Sequence, residues 1–423
     1  GTILAHLLSN VNLMLRSALL STLFLATIFL PTATRAQDGN SDDAAMMAHA
    51  RELAHQAILV DTHIDVPYRM TEKWEDVSQS AEGGNFDYPR AVKGGLNAPF
   101  MSIYIPAEYQ ETGGAPEFAD SLIDMVEGFV THAPDKFAIA KSPADVRSQF
   151  QKGLISLPMG MENGAPIVDL AKLTHFHDRG ISYITLTHSK VNQISDSSYD
   201  EERKWNGLSP FGEQVVHEMN RLGIMVDISH VSDSAFYDVM AITEAPPIAS
   251  HSSARYFTPG FERNMTDEMI QMLADHGGVI QITFGSSFLT EAANKSGFNA
   301  YAEIRKYFKE NNIDQGSDEA QAYIEQYRKD HPAPLADVSD VADHIDHAVK
   351  LTSIDHVGIG SDFDGVGDTL PTGLKDVSAY PNLIYQLLKR GYSDDDVRKV
   401  MGENLLRVWS EVQAVAKQMQ EHN

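Results

Sequence analysis

Residues 223–251 read GIMVDISHVSDSAFYDVMAITEAPPIASH. An apolar run at 223–229 gives way to a segment with helical spacing at 232–242, and a second apolar run follows at 246–250. Continuous apolar runs, as opposed to strict alternation, mark strands buried on both faces of a parallel sheet. Parallel neighbours need a crossover between them, and the middle segment supplies one. Each run ends in a histidine, His230 and His251.

The pattern repeats outward in both directions. Further strands are expected at 58–62, 98–105, 153–159, 181–187, 277–284 and 355–361, which brings the total to eight, with helical segments among them. Eight such repeats predict an α/β fold, a (β/α)8 TIM barrel. An open doubly wound sheet is the alternative, but neither GxGxxG nor GxxxxGK[ST] follows a strand. The expected organisation is one catalytic domain over 46–415, opening on a helix at 46–57 and ending in a short tail, 416–423. A long polar stretch at about 285–352 is read as a helical insertion between strands seven and eight.

The N-terminal residues read as an address. Arg16 precedes an apolar run from Ala18 to Leu30, Pro31 breaks it, and small residues follow to Ala36. That layout predicts a secretory signal peptide over 1–36, with Met14 a candidate initiator and 1–13 upstream of it. The run is short of the ~20 residues that span a bilayer. Residues 37–45 are expected to be a polar linker. The expected location is the bacterial periplasm or the exterior, with no stable membrane anchor after cleavage.

Composition removes several classes of function. The 423 residues carry a formal charge of −26, which disfavours nucleic acid as a partner. There is no cysteine, so disulfides, iron–sulfur clusters, thiol nucleophiles and cysteine-ligated zinc are excluded. The chain is 43% hydrophobic and 22% charged, as suits a globular core.

Polar residues with metal-binding chemistry collect where the strands end. His63 and Asp65 follow the first strand in DTHID, and alternate residues of extended chain point the same way. Glu162 follows the third strand, with two oxygens able to bridge two cations. His188, His230 and His251 close three consecutive strands. Asp362 and Asp364 follow the eighth, in SDFDG, and Gly358 and Gly360 inside that strand suggest a closely approached backbone. Imidazole and carboxylate without thiolate suit Zn2+, with Mn2+ or Co2+ as replacements. Two such ions would activate a shared water and polarise a scissile carbonyl, and Asp362 would take the proton and pass it to the leaving amine. Arg263 and Arg255 compete as a two-pronged carboxylate clamp, and their positions do not separate them. No G-x-S-x-G elbow is present.

The pieces DTHID, MENG, YITLTHS, VDISH, SHSSAR, ERNMTDE, GGVIQITF and HVGIGSDFDG, in that order over about 46–412, resemble the membrane dipeptidase (renal dipeptidase) family of the metal-dependent amidohydrolase barrels. The resemblance implies two zinc ions, one held by His63 and Asp65, the other by His230 and His251, with Glu162 bridging them. It implies that His188 contacts substrate and stabilises the oxyanion, that Arg263 rather than Arg255 binds the substrate carboxylate, and that Asp362 is the acid/base residue. Asn163 stands where mammalian members carry glycine. The implied reaction is hydrolysis of dipeptides with a free C-terminal carboxylate, including L-Xaa–D-Xaa. Members are often dimers, so a homodimer is a further expectation. The competing readings are another binuclear amidohydrolase activity, on N-acyl amino acids, β-lactams or lactones, and a non-catalytic binding barrel.

Overall fold

The computed structural model describes residues 35–422. The leader read at 1–36 therefore lies, but for Arg35 and Ala36, outside the described residues. The chain divides into two compact units at Asp43 and Ala44, and the barrel belongs wholly to the second.

Ten strands occur in the described chain: β1 Leu59–Ile64, β2 Leu96–Tyr104, β3 Phe137–Ile139, β4 Ile155–Leu157, β5 Met159–Glu162, β6 Ile181–Thr185, β7 Met225–Asp227, β8 Ile248–Ser252, β9 Val279–Ile282 and β10 Val357–Ile359. Eight of them form one parallel sheet in the order β1-β2-β5-β6-β7-β8-β9-β10. It is a nearly closed barrel. The seam between β10 and β1 lies just past the strand ends, where Ile64 bridges Phe363 and the Asp362 N–H donates to the His63 carbonyl at 3.0 Å. The α/β barrel expected from the sequence is the fold.

The stretch 223–251 folds as its pattern dictates. Gly223, in the left-handed conformation, ends the helix Pro210–Leu222 and releases the chain into β7. Ser232 caps the helix Asp233–Ile242 by accepting the Ala235 N–H. That helix buries Ala235, Phe236, Val239 and Met240 against the sheet.

Three boundaries differ from expectation. The run at 153–159 is two strands. Pro158 interrupts it, so β4 pairs with β3 in a small outlying sheet, while β5 enters the barrel beside β2 with Met101 opposite Met159. Glu162 is thus the last residue of a strand. At the N-terminus the helix spans Arg35–Gln56, so the stretch read as a linker at 37–45 is helical, its Ala44–Met47 being strong helix formers. At the other end the helix Asn404–Glu421 takes up most of the expected tail.

That last helix plugs the barrel. Leu405, Leu406, Trp409 and Val412 pack with Val60, Ala98, Phe100, Tyr183, Met225, Ile248 and Val279, one or two from each of six strands. The Trp409 ring stands 5.4 Å from Phe100, which stands 5.6 Å from Tyr183. The connection from β9 to β10 carries the helices Ser286–Leu289, Glu291–Asn311, Asp318–Asp330 and Val338–Leu351. No helix of the described residues is long and apolar enough to cross a membrane.

Candidate metal centre

The opposite end of the barrel, where the strands finish, gathers the predicted residues into one place. His63 is the fifth residue of β1, and Asp65 follows the strand as the residue before the helix Val66–Glu72. Glu162 ends β5 and His251 lies within β8. His188, His230 and Asp362 each stand three residues past the ends of β6, β7 and β10. Three overlapping groups have ligand atoms close enough to share an ion: His63–Asp65–Glu162, Glu162–His230–His251 and His63–His251–Asp362.

Glu162 divides its two oxygens between two sets of partners. Oε2 is 3.3 Å from His63 Nε2, which is itself 3.5 Å from Asp65 Oδ2. Oε1 is 3.0 Å from His230 Nε2, 3.2 Å from His251 Nε2 and 3.7 Å from His188 Nε2. His230 Nε2 and His251 Nε2 stand 3.0 Å apart, and the His63 and His251 rings stack at 3.8 Å. The two groups that share Glu162 could hold two cations on either side of one carboxylate.

The backbone supports this convergence at a cost. Asn163, His230, Asp362 and Asp364 have φ of 80°, 70°, 63° and 65°. Non-glycine residues in that region are uncommon and persist where the surroundings over-determine them. Asn163 is locked by its own amide, which donates to Ile105 O and Gln110 Oε1.

Polar groups behind the ligands set which ring nitrogen is free. Tyr183 donates its hydroxyl proton to the Thr62 carbonyl at 2.8 Å, so toward His63 Nδ1, also at 2.8 Å, it accepts. His63 therefore carries a proton on Nδ1. Ser250 likewise donates to Asp227 Oδ2 at 2.6 Å and accepts from His251 Nδ1 at 2.8 Å. In the neutral rings the Nε2 lone pair of both histidines faces Glu162. Asp227 also receives the Thr185 hydroxyl and the N–H groups of Ser229 and Ser250, and Asp61 receives the N–H groups of His63 and Ser361 and the Tyr380 hydroxyl. Tyr183, Ser250, Asp227 and Asp61 were not singled out from the sequence. A carboxylate inside an apolar strand, as in LVDT and MVDI, was the available signal, because such a group is costly to bury without partners.

The electrostatics match a cation site. Burial alone would raise the Glu162 carboxyl, but the surrounding imidazoles, His63 foremost, hold it well below the usual carboxylate range. Burial pushes His230 and His251 well below the ordinary imidazole value, so both are neutral. Burial also opposes charge on His63, yet Tyr183, Glu162 and Asp65 outweigh it and carry that ring well above its usual range. Asp362 moves the other way. Burial, and then the Asp65 carboxylate beside it, raise it well above an ordinary aspartate. His63 Nε2 and Asp65 Oδ1 are buried and lack hydrogen-bond partners. An anionic bridge, neutral imidazoles and these unpartnered atoms form a donor set that fits Zn2+.

The remaining predicted residues separate clearly. Arg255 is occupied, forking onto Asp233 at 2.6 and 2.8 Å and donating to the carbonyls of Asn264 and Glu262. Arg263 is buried, donating to Ser252 Oγ and the His251 carbonyl, and its Nε has no partner. The ion-pair partner of Asp364 is Arg69, at 3.0 Å. The close approach expected at Gly358 and Gly360 comes from inside the barrel: a Cβ at Gly360 would lie 1.9 Å from the Ser250 carbonyl oxygen, and one at Gly358 2.1 Å from Gln281. Above the centre is a cavity of about 900 Å3, lined by Asp65, Glu162, His188, His230, Asp362 and the rings of Tyr68, Tyr104, Tyr199 and Phe288 among others.

Comparison with known proteins places this geometry. A family model described as membrane dipeptidase (peptidase family M19) matches residues 47–423. The chain is 37% identical over 344 residues to the dipeptidase aclJ of Aspergillus oryzae (strain ATCC 42149 / RIB 40), covering 79% of this chain and 72% of that one. It also resembles the crystal structure of the probable dipeptidase PvdM from Pseudomonas aeruginosa, at 29% identity and a TM-score of 0.76, over 88% of this chain and all of that one. A metallo peptidase from Rhodobacter sphaeroides, solved with a phosphinate mimic of the dipeptide L-Ala-D-Ala, matches at 25% identity and a TM-score of 0.68, over 84% of this chain and 99% of that one.

Proposed function

We propose, on the premise that the chain belongs to the membrane dipeptidase family, that it is a zinc dipeptidase acting on substrates with a free C-terminal carboxylate, L-Xaa–D-Xaa dipeptides included. Metal-dependent, dipeptidase-like hydrolysis at a binuclear site is the activity of this barrel. The observation that carries the finer reading is the division of Glu162, one oxygen toward His63 and the other toward His230 and His251.

In this reading His63 and Asp65 would hold one ion and His230 and His251 the other, with Glu162 contributing to both. When bound, the pair supplies Lewis acidity and lowers the pKa of water. The chain's own groups do the rest. Arg263 has donors left after Ser252 and His251 are served, and these take the substrate carboxylate. That contact fixes the scissile carbonyl over the centre. His188 reaches Glu162 through Nε2 and is partly open to the cavity, so it can donate to the carbonyl oxygen as negative charge grows there. Asp362 lies 4.0 Å from His63 Nε2 in the same cavity. Its carboxyl accepts the proton from the attacking water and delivers it to the departing amine, and a raised affinity for protons suits that exchange. The mimic bound by the Rhodobacter sphaeroides protein supports a D-residue at the C-terminal side. The leader at 14–36 supports a periplasmic or secreted location.

The test is a hydrolysis screen on protein of measured zinc content, setting L-Xaa–L-Xaa and L-Xaa–D-Xaa dipeptides against tripeptides, N-acyl amino acids, β-lactams and lactones. Free dipeptides are cut and tripeptides are not. Preference for tripeptides or N-acyl amino acids overturns the reading.

A further inference from the structure

Arg69 lines the catalytic cavity, yet each of its three guanidinium nitrogens already has an acceptor. Nε donates to Asp364 Oδ2 at 3.0 Å, Nη1 to Glu75 Oε2 at 2.8 Å and Nη2 to the Phe86 carbonyl at 3.1 Å. Two carboxylates already balance its charge, so it is a poor candidate for holding substrate. Its place in the chain suggests another task. Arg69 lies one turn into the helix that follows Asp65, and its N–H bonds to the Asp65 carbonyl at 3.1 Å. Asp364 lies two residues past Asp362, in the turn closed by the Gly365 N–H donating to the Asp362 carbonyl at 3.0 Å. The Asp364 side chain is fully buried. Its Oδ1 accepts the Asn85 N–H at 2.5 Å, and its own N–H donates to the Asn85 side chain at 2.8 Å.

One ion pair therefore ties the segment carrying Asp65 to the turn carrying Asp362. That turn holds two non-glycine residues at positive φ, a conformation it keeps only if something outside it does the holding. The fit is close. A Cβ on Gly365 would lie 2.1 Å from Asp362 Oδ1 and 2.4 Å from Asp65 Oδ2. A small shift of either segment would change how the two carboxylates face each other.

We propose that Arg69, Asp364 and Asn85 form a clamp that positions the Asp362 carboxylate against Asp65, as positioning residues that touch neither substrate nor ion. The inference rests on the reading of Asp362 as the proton carrier and of Asp65 as a zinc ligand.

The test uses the full chain and Zn2+ as probe. Asp364→Asn is expected to lower kcat by about tenfold or more and to weaken zinc binding by about tenfold, both within the range for groups behind a metal site. KM should stay within about twofold, because uniform substrate binding is untouched. Arg69→Met should do the same, and in kcat and zinc affinity the double variant should be no worse than Arg69→Met alone, since both changes remove the same ion pair. Arg69→Lys, which keeps a charge near Asp364, should recover part of kcat. A fall in Tm with kcat and zinc affinity unchanged would mean that the pair is structural only, and overturns the proposal. If Asp364→Asn does not fold, Asn85→Ala and Arg69→Lys answer the same question. Zinc affinity is read without substrate, so the clamp can be judged even if the dipeptidase reading fails.

Discussion

Tyr183 faces His63 as an acceptor, its hydroxyl 2.8 Å from Nδ1 and its own proton given to the Thr62 carbonyl. A tyrosine in the middle of a barrel strand thus decides which nitrogen of the histidine is free. Tyr183→Phe removes one oxygen from a fully buried site, leaving both His63 Nδ1 and the Thr62 carbonyl without that partner. Loss of such a group behind a ligand costs about ten- to a hundredfold in metal affinity. We expect that loss in a zinc titration against a competing chelator, with the substrate KM little changed once zinc is saturating. Unaltered zinc affinity would show that the hydroxyl does not set the tautomer.

Glu162 and Asp362 are both buried carboxyls, but their surroundings push them apart. Imidazoles hold Glu162 well below the usual carboxylate range, whereas burial and Asp65 raise the proton affinity of Asp362. Such a split separates a ligand from a proton carrier. Glu162→Ala should lose metal together with activity. Asp362→Asn should keep its metal and lose about 10²- to 10⁴-fold in kcat, the usual worth of general acid–base help. Metal analysis beside steady-state kinetics distinguishes them, and full metal occupancy in Glu162→Ala would remove the bridge from its assigned place.

Much of this site was legible because barrel geometry does the gathering. Once the apolar runs are strands of one nearly closed parallel sheet, His63, Glu162, His188, His230, His251 and Asp362 must share one rim. The third strand was misplaced because ISLPMGM is apolar but for Ser156, and only the fold shows that the chain leaves one sheet for another at Pro158. The strained backbones of His230 and Asp362 were not visible, since no residue type there demands positive φ. Tyr183 was not singled out, because its ring is core, packing on Phe100, while its hydroxyl serves His63.

Two arginines competed for the substrate carboxylate, and the structure gives them different partners. Arg255 is committed to Asp233 and two carbonyls, while Arg263 retains an unpartnered Nε beside the centre. Arg263→Met should raise KM by about ten- to a hundredfold, the worth of a hydrogen bond to a charged group. Arg255→Met should lower Tm and leave KM alone. Equal KM effects from the two would take the clamp away from Arg263.

His344 gives the fold a pH dependence separate from the metal centre. It is fully buried in the helix Val338–Leu351, accepting the Ala254 N–H on Nδ1 at 3.0 Å and donating from Nε2 to the Leu289 carbonyl at 2.9 Å. That pairing requires the neutral ring, and burial lowers its pKa to about 4. The unfolded chain binds the proton near pH 6.5, so its stabilising effect is complete above that value and fades as pH falls toward 4. The loss amounts to about 3 kcal/mol over that window. Protonation at the candidate metal centre adds its own acid sensitivity, so the measurement is a difference: urea unfolding of the metal-free chain beside its His344→Gln variant between pH 7.5 and 4. The native chain should lose stability faster than the variant below pH 6.5. Parallel curves would mean that His344 is protonated without strain in the folded chain, and that the Ala254 contact yields as it titrates.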